Sequence, residues 1–322
     1  MQRPEPAASP PESRRPAAAG WRAVGAVLAT ASLSLLGGCT LELFAPKGSI
    51  GEQERDLIVT ASGLMLLVVV PVIALTLWFA WRYRASNERA AYAPDWAHST
   101  RIEIVVWSIP CAIVALLAVI IWHTTQSLDP YKPLQASARP VRVEVVALDW
   151  KWLFIYPDYG IATVNELRIP VDTPVNFTLT ADKLMNSFFI PQLGSQVYAM
   201  AGMQTQLHLV ANEAGTYRGL SSGFSGEGFS DMHFDAVASS RADFDAWVRR
   251  ARQGPLTLDD ATYRAVAMPS IAAAPAEYAG VEPGLFDGIL NQYTRGSGTA
   301  AICTTRTTKA VAQAGAGVVR TE

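Results

Sequence analysis

Between residues 185 and 232 the chain gathers the side chains best placed to do chemistry: Asn186, Met200, Met203, His208, Ser221, Ser225, Phe229, Met232 and His233. A soft metal such as copper wants thiolate and imidazole donors, and this window has no cysteine. The three cysteines, Cys39, Cys111 and Cys303, stand far apart in dissimilar contexts, so they build neither a disulfide framework nor a Cys-x-x-Cys pair. Ser221 and Ser225 carry hydroxyls, which are poor copper ligands at neutral pH. Met232 and His233 are neighbours on an apparent strand and should point to opposite faces. His208 alternates with Leu207 and Leu209 and is expected to face solvent. The window therefore reads as a loop-rich β segment that binds no copper. A nucleophile–base pair and a phosphate-cradling glycine loop are also missing from the sequence.

The run Met-Asn-Ser-Phe-Phe-Ile-Pro at 185–191 and the Phe-Ser-Gly run at 224–226 carry a resemblance. The window is similar to the copper-binding part of subunit II of the haem–copper oxidases. Cytochrome c-oxidising members have an early His there, then Cys-Ser-Glu-x-Cys-Gly-x-x-His-x-x-Met. On this chain the first His position holds Asn186, the two Cys positions hold Ser221 and Ser225, and the Glu position holds Gly223. The second His position holds Phe229, and only the methionine survives, as Met232. That pattern resembles the quinol-oxidising, cytochrome o-type branch, and the similarity extends from about residue 36 to about residue 290.

The resemblance implies a subunit of a proton-pumping ubiquinol oxidase that reduces oxygen to water. Haems and one copper would belong to subunit I, the main contact, with subunits III and IV as further partners. No metal or cofactor is expected in this chain, and the chain alone is not expected to be catalytic. A copper-dependent electron-transfer subunit of a cytochrome c oxidase and a non-respiratory membrane lipoprotein are the alternatives. The cysteine-free loop argues against the first, and co-purifying haem subunits would exclude the second.

The elements that must position this window follow from composition. Half of the 322 residues are hydrophobic and 17% are charged, which suggests membrane segments. The net charge of −2 gives no reason to expect nucleic acid. Residues 1–38 read as an export signal, with Arg14, Arg15 and Arg22 before an apolar run too short to span a bilayer. The run ends Leu36-Gly37-Gly38-Cys39, which resembles a lipoprotein cleavage box and makes Cys39 the lipid-bearing residue of a periplasmic segment, 39–56. Residues 57–81 lack any charge and end near Trp78 and Trp81, so they read as a first membrane span, kinked at Pro71. A second span is expected over 104–122.

The loop between them, 82–103, holds Arg82, Arg84, Arg89 and Arg101 against Glu88, Asp95 and Glu103, and this excess places it in the cytoplasm. Both the mature N-terminus and everything beyond the second span then lie in the periplasm, as an export signal also requires. Glu103 sits at the cytoplasmic end of the second span. A carboxylate there suits a helix N-terminus; the resemblance makes it a candidate entrance to a proton-uptake path.

After a linker over 123–139, period-two alternation at 141–145, 175–180 and 206–209 predicts half-buried strands, with turn signals at 157–160, 170–174 and 212–215. That pattern argues for an antiparallel sandwich or barrel over 140–239; the resemblance makes it a Greek-key cupredoxin-like domain. The aromatic run 149–156 reads as core packing, Trp150 included. Ser240 and Asp243 form a capping box before Phe244, Trp247, Val248 and Ala251, which predicts an amphipathic helix. The fold class is thus a two-helix membrane hairpin, a cupredoxin-like β domain without copper ligands, and a short helical extension over 240–291. Residues 292–322 are expected to be disordered.

Overall fold

A computed structural model describes residues 42–89, 98–134 and 138–293. Cys39, Cys303, the export signal and residues 294–322 lie outside the described residues. Two long helices come first, α1 (Ser49–Arg82) and α2 (Thr100–Ser127), each continuous through its proline, Pro71 or Pro110. Their most apolar stretches are not buried against protein at all. Core helices of a soluble protein would be covered, so length, composition and exposure together fit membrane spans. Both helices are longer than the apolar runs within them. α1 begins eight residues before residue 57, because Ser49, Gly51 and Glu52 belong to a polar first turn docked on the β domain. Gly51 N donates to Leu193 O at 3.1 Å, and a Cβ on Gly48 would meet Val210 O at 2.5 Å, so only glycine permits that approach.

The β domain packs two sheets. One contains β1 (Val141–Leu148), β2 (Lys151–Tyr156), β3 (Ile161–Val164), β5 (Val175–Ala181) and β8 (Thr205–Leu209), ordered β3-β2-β1-β5-β8. The other contains β4 (Glu166–Pro170), β6 (Asn186–Ile190), β7 (Gly194–Ala199), β9 (Gly215–Ser221) and β10 (His233–Ser239), ordered β4-β10-β9-β6-β7. The β1–β5 and β4–β10 pairs are parallel and the other pairs between these strands are antiparallel. That is the sandwich anticipated from sequence, with a mixed rather than purely antiparallel ladder. Between the sheets Trp152, Phe154, Phe177, Phe188 and Phe234 form a dry aromatic centre, with the Phe188 and Phe234 rings stacked at 5.2 Å. Gly219 faces that stack, and a Cβ there would lie 2.0 Å from the Phe234 ring.

The C-terminal part explains why β2 is buried at every position instead of alternating. After α3 (Arg241–Ala251) come β11 (Thr257–Leu258), α4 (Asp260–Val266), β12 (Ala276–Tyr278), β13 (Gly280–Val281) and α5 (Leu285–Leu290). β12 joins the first sheet beside β3, so the extension is not only helical. Leu258, Tyr263, Phe286 and Ile289 cover Val146, Leu148, Leu153 and Ile155 and give that sheet a second apolar face. α3 buries Phe244, Trp247, Val248 and Ala251, and Ser240 Oγ caps it by accepting from Asp243 N at 3.2 Å.

Two further expectations are corrected. Gln292 and Tyr293, placed with the tail, belong to a 3-10 turn (Asn291–Tyr293) and bond to Asp182. His208 does not face solvent: it is buried, with Nδ1 2.9 Å from Asn176 Oδ1, because Asp129, Lys132 and Leu134 of the linker close over it. Burial lowers its pKa.

Candidate functional site: the loop around Ser221 and Met232

The six positions laid onto the family's ligand pattern, Asn186, Ser221, Gly223, Ser225, Phe229 and Met232, converge in part. Asn186 opens β6 and Ser221 closes β9, two strands that pair through Phe188 and Ser221. Ser221 Oγ donates toward Asn186 Oδ1 at 3.1 Å and Gly223 O at 3.3 Å, and it accepts from Ser187 N at 3.4 Å. Ser221 N donates to Met232 O at 3.1 Å, and Met232 N to Phe229 O at 3.2 Å, which closes the loop on itself. Asn186, Ser221, Ser225 and Met232 are buried, while Phe229 is half-buried against the exposed ring of Phe224 at 5.6 Å.

Trp150 completes the loop, and its part was not visible in the sequence reading. It sits at φ 64°, a left-handed conformation unusual for a bulky residue, at the tight β1–β2 turn. Its Nε1 donates to Ser225 O at 3.1 Å. Its ring lies so close to Gly228 that a Cβ there would stand 2.6 Å away, and Gly226 beside it adopts φ 107°. The signal was Gly228, whose missing Cβ makes room for the ring, while Gly226 is required by its own positive φ.

The donor set decides what this loop can hold. Asn186 offers an amide, Ser221 and Ser225 hydroxyls, Gly223 a carbonyl and Phe229 a ring. Only the Met232 thioether is soft, and it is packed into the aromatic core. Among the described residues no three His, Cys, Asp or Glu side chains group as metal ligands would. These residues do not fit a copper centre. His233 is half-buried, with a buried Nδ1 that has no hydrogen-bond partner among the described residues.

A second polar cluster, also missed from sequence, ties the extension to the sandwich. Tyr263 hydroxyl donates to Asp182 Oδ1 at 2.7 Å, Gln292 Nε2 to Asp182 O at 2.7 Å, and Tyr293 hydroxyl to the same carbonyl at 2.6 Å. Burial, reinforced by the Asp182 hydrogen bond, pushes the Tyr263 pKa well up. Lys151 Nζ donates to Val266 O and Met268 O at 2.8 and 2.7 Å, closing the C-terminal end of α4, and burial lowers its pKa. On the membrane side, Glu103 lies in the first turn of α2, half exposed, with Oε1 2.6 Å from His98 Nδ1.

Residues 160–238 match the model of the cytochrome c oxidase subunit II periplasmic domain, and residues 252–297 match the cytochrome oxidase aromatic-rich motif. The chain is 55% identical over 266 residues to cytochrome bo(3) ubiquinol oxidase subunit 2 of Pseudomonas aeruginosa, covering 83% of this chain and 80% of that one. Identity is 53% over 267 residues to the Pseudomonas putida protein of the same name, covering 83% and 85%. Ubiquinol oxidase subunit 2 of Acetobacter aceti is 55% identical over 268 residues, covering 82% and 87%.

Proposed function

The chain belongs to the ubiquinol oxidase subunit II family of the haem–copper oxidases, and from that premise we propose how it serves such a complex. It is the subunit II of a proton-pumping, cytochrome o-type ubiquinol oxidase, an oxidoreductase in which ubiquinol is oxidised and oxygen is reduced to water. Within that assembly its work is structural: α1 and α2 anchor it in the inner membrane, and the β domain covers the outer face of subunit I. Haems and one copper reside in subunit I, and subunits III and IV complete the complex.

The observation that carries this reading is the loop itself, which keeps its fold with an amide, hydroxyls and a ring where an electron port would need thiolates and imidazoles. A water-soluble electron donor needs such a port on the outer side of the membrane. A quinol delivers its electrons from within the bilayer, so the loop is free to become packing.

Orientation follows from charge. Arg82 and Arg84 stand at the end of α1, and the Arg84 guanidinium lies 5.1 Å from the Trp81 ring centre, as expected of a cytoplasmic membrane edge. The β domain is then periplasmic, and Cys39 carries the lipid anchor. Glu103, at the same edge and paired with His98, is the proposed entrance for protons drawn from the cytoplasm. Glu103→Gln should slow proton uptake and turnover; unchanged values would remove it from the path.

The test of the whole reading is purification through a tag on this chain, with metal and haem analysis and oxygen consumption. Haem-bearing partners, one copper per complex and activity with ubiquinol but not reduced cytochrome c are expected. Three coppers with cytochrome c activity, or a chain free of haem, would overturn it.

A further inference from the structure

The large apolar side chains that the sandwich and its extension leave exposed are not scattered over the surface. All but Leu256 stand on or beside the loops of one end, among them Phe224, Met185, Leu184, Met203, Tyr293 and Ile271. Contacts tie those loops together. Asn186 Nδ2 donates to Leu184 O at 3.0 Å while its Oδ1 accepts from Ser221 Oγ. A Cβ on Gly202 would lie 3.5 Å from Tyr293, and one on Gly228 would meet both Trp150 and Ile271. Phe224 is 81% exposed, more than any other large apolar side chain among the described residues, those of α1 and α2 included. It is nevertheless held in place. Its ring centre lies 5.6 Å from that of Phe229, Ser222 N on one side donates to Ser187 O, and Ser225 O on the other accepts from Trp150 Nε1. A fixed aromatic standing out of an apolar patch has the anatomy of an interface anchor.

This end of the domain is turned toward the membrane. α1 lies against Leu193 at Gly48, against Gly194 at Ile50, and against Ser195 at Glu54, whose carboxylate accepts from Ser195 Oγ. The helix therefore advances in the same sense as β7, and β7 ends at Ala199 beside the exposed loops. The apolar run of α1 begins at Leu57, about 4.5 Å beyond Glu54. From Ser195, β7 continues to Ala199, about 13 Å further. The exposed loops thus lie on the side where the hairpin enters the membrane.

Charge distinguishes lipid from protein as the surface they meet. The loops hold the carboxylates of Asp149, Asp182, Glu227 and Asp231 against the ammonium groups of Lys151 and Lys183, a net charge of −2. Lys183 lies 3.5 Å from Asp149 and 3.8 Å from Asp182, and among the described residues Glu227 and Asp231 have no ion-pair partner. A negative rim repels anionic lipid headgroups. It suits a protein face that surrounds an apolar hollow with arginines or lysines.

We propose that this end of the β domain docks on the outer face of the haem-bearing subunit, with Phe224 as the anchor. The proposal rests on the oxidase reading above and assigns the surface through which that subunit is covered. The loop around Ser221 and Met232 then has a task without a metal, which is to hold Phe224 out to a partner.

The test is purification of the whole complex through a tag on this chain, with haem counted per tagged chain. Phe224→Asp should lower the haem recovered about tenfold or more. Phe224→Leu should keep most of it, and Leu256→Asp, exposed but away from this end, should change nothing. The thermal midpoint of the full chain in detergent should be the same for all three, since both side chains are exposed. Haem recovery untouched by Phe224→Asp would overturn the surface. Photo-crosslinking from benzoylphenylalanine placed at position 224 identifies what lies against it. An adduct with the haem-bearing subunit is expected; an adduct with phospholipid, or none with protein, would overturn the docking partner. A parent chain that brings no haem would overturn the oxidase reading, and this surface with it.

Discussion

The loop from Ser221 to Met232 and the clasp around Asp182 both bury polar atoms, and they satisfy them very differently. In the clasp a carboxylate and its own carbonyl receive Tyr263, Gln292 and Tyr293 at 2.6 to 3.2 Å, and Asp182 N donates to Ala147 O at 2.9 Å. In the loop one hydroxyl proton on Ser221 serves two acceptors at 3.1 and 3.3 Å, while Ser225 Oγ, and His233 Nδ1 just after it, are buried without hydrogen-bond partners among the described residues. Native interiors rarely leave such groups unpaired. The clasp is built to hold the extension. The loop has a backbone shape fixed by Trp150 and two glycines, and its side chains carry little of it.

The largest effect should come from Asp182→Ala. It leaves the buried Tyr263 hydroxyl without its charged acceptor, while the exposed Gln292 amide keeps the Asp182 carbonyl, and it should cost about 2–3 kcal/mol. Urea unfolding would measure the loss, and limited proteolysis should show cleavage within the extension first. A loss under about 0.5 kcal/mol, the range of neutral surface changes, would mean that the clasp is decoration. Next is Trp150→Ala, which removes the ring against Gly226 and Gly228 and the hydrogen bond to Ser225 O. About 2 kcal/mol is expected for a partly buried aromatic, with protease access at the loop and not at the extension. Cleavage at both places would show that the two regions are coupled.

Alkaline pH separates them more gently. Tyr263 has a folded pKa raised above its ordinary value of 10.0, first by burial and then by Asp182. The native state therefore prefers the neutral phenol. That contribution is whole below about pH 10 and is lost as pH rises toward the folded value. The extension should loosen first above that point, followed by phenolate absorbance, and Tyr263→Phe should remove this part of the pH dependence. A loop that opened before the extension would reverse the ranking.

Much of this was legible in residues whose pattern is local. The stripe Phe244, Trp247, Val248, Ala251 and the cap Ser240 appear in the structure as written, because a short helix depends on its own spacing. The substituted ligand positions could be read one by one from the family pattern. What stayed hidden depends on partners distant in sequence. His208 lost its solvent face to a linker about eighty residues earlier, and β2 lost its alternation to an extension that packs on its outer side. The start of α1 was masked by Glu52, Glu54, Arg55 and Asp56, whose charges hide a helical stretch docked on protein rather than lipid. Asp182 carried no pattern at all; only the return of Tyr263 and Gln292 makes it a centre.

The smallest change is the sharpest test of the contrast. Ser225 Oγ is buried with no hydrogen-bond partner among the described residues, so its desolvation is a cost that the native state already bears. Ser225→Ala removes that cost along with the hydroxyl and should leave stability within about 0.5 kcal/mol of the parent, or slightly raise it. Ser221→Ala, which breaks the link to Asn186, should lose about 1 kcal/mol. The pair measured side by side distinguishes two kinds of loop. If Ser225→Ala costs as much as Ser221→Ala, the hydroxyl has a bound partner, and the loop is a polar network in its own right. If it costs nothing, the position is held by the Trp150 ring and the backbone alone, as the packing indicates.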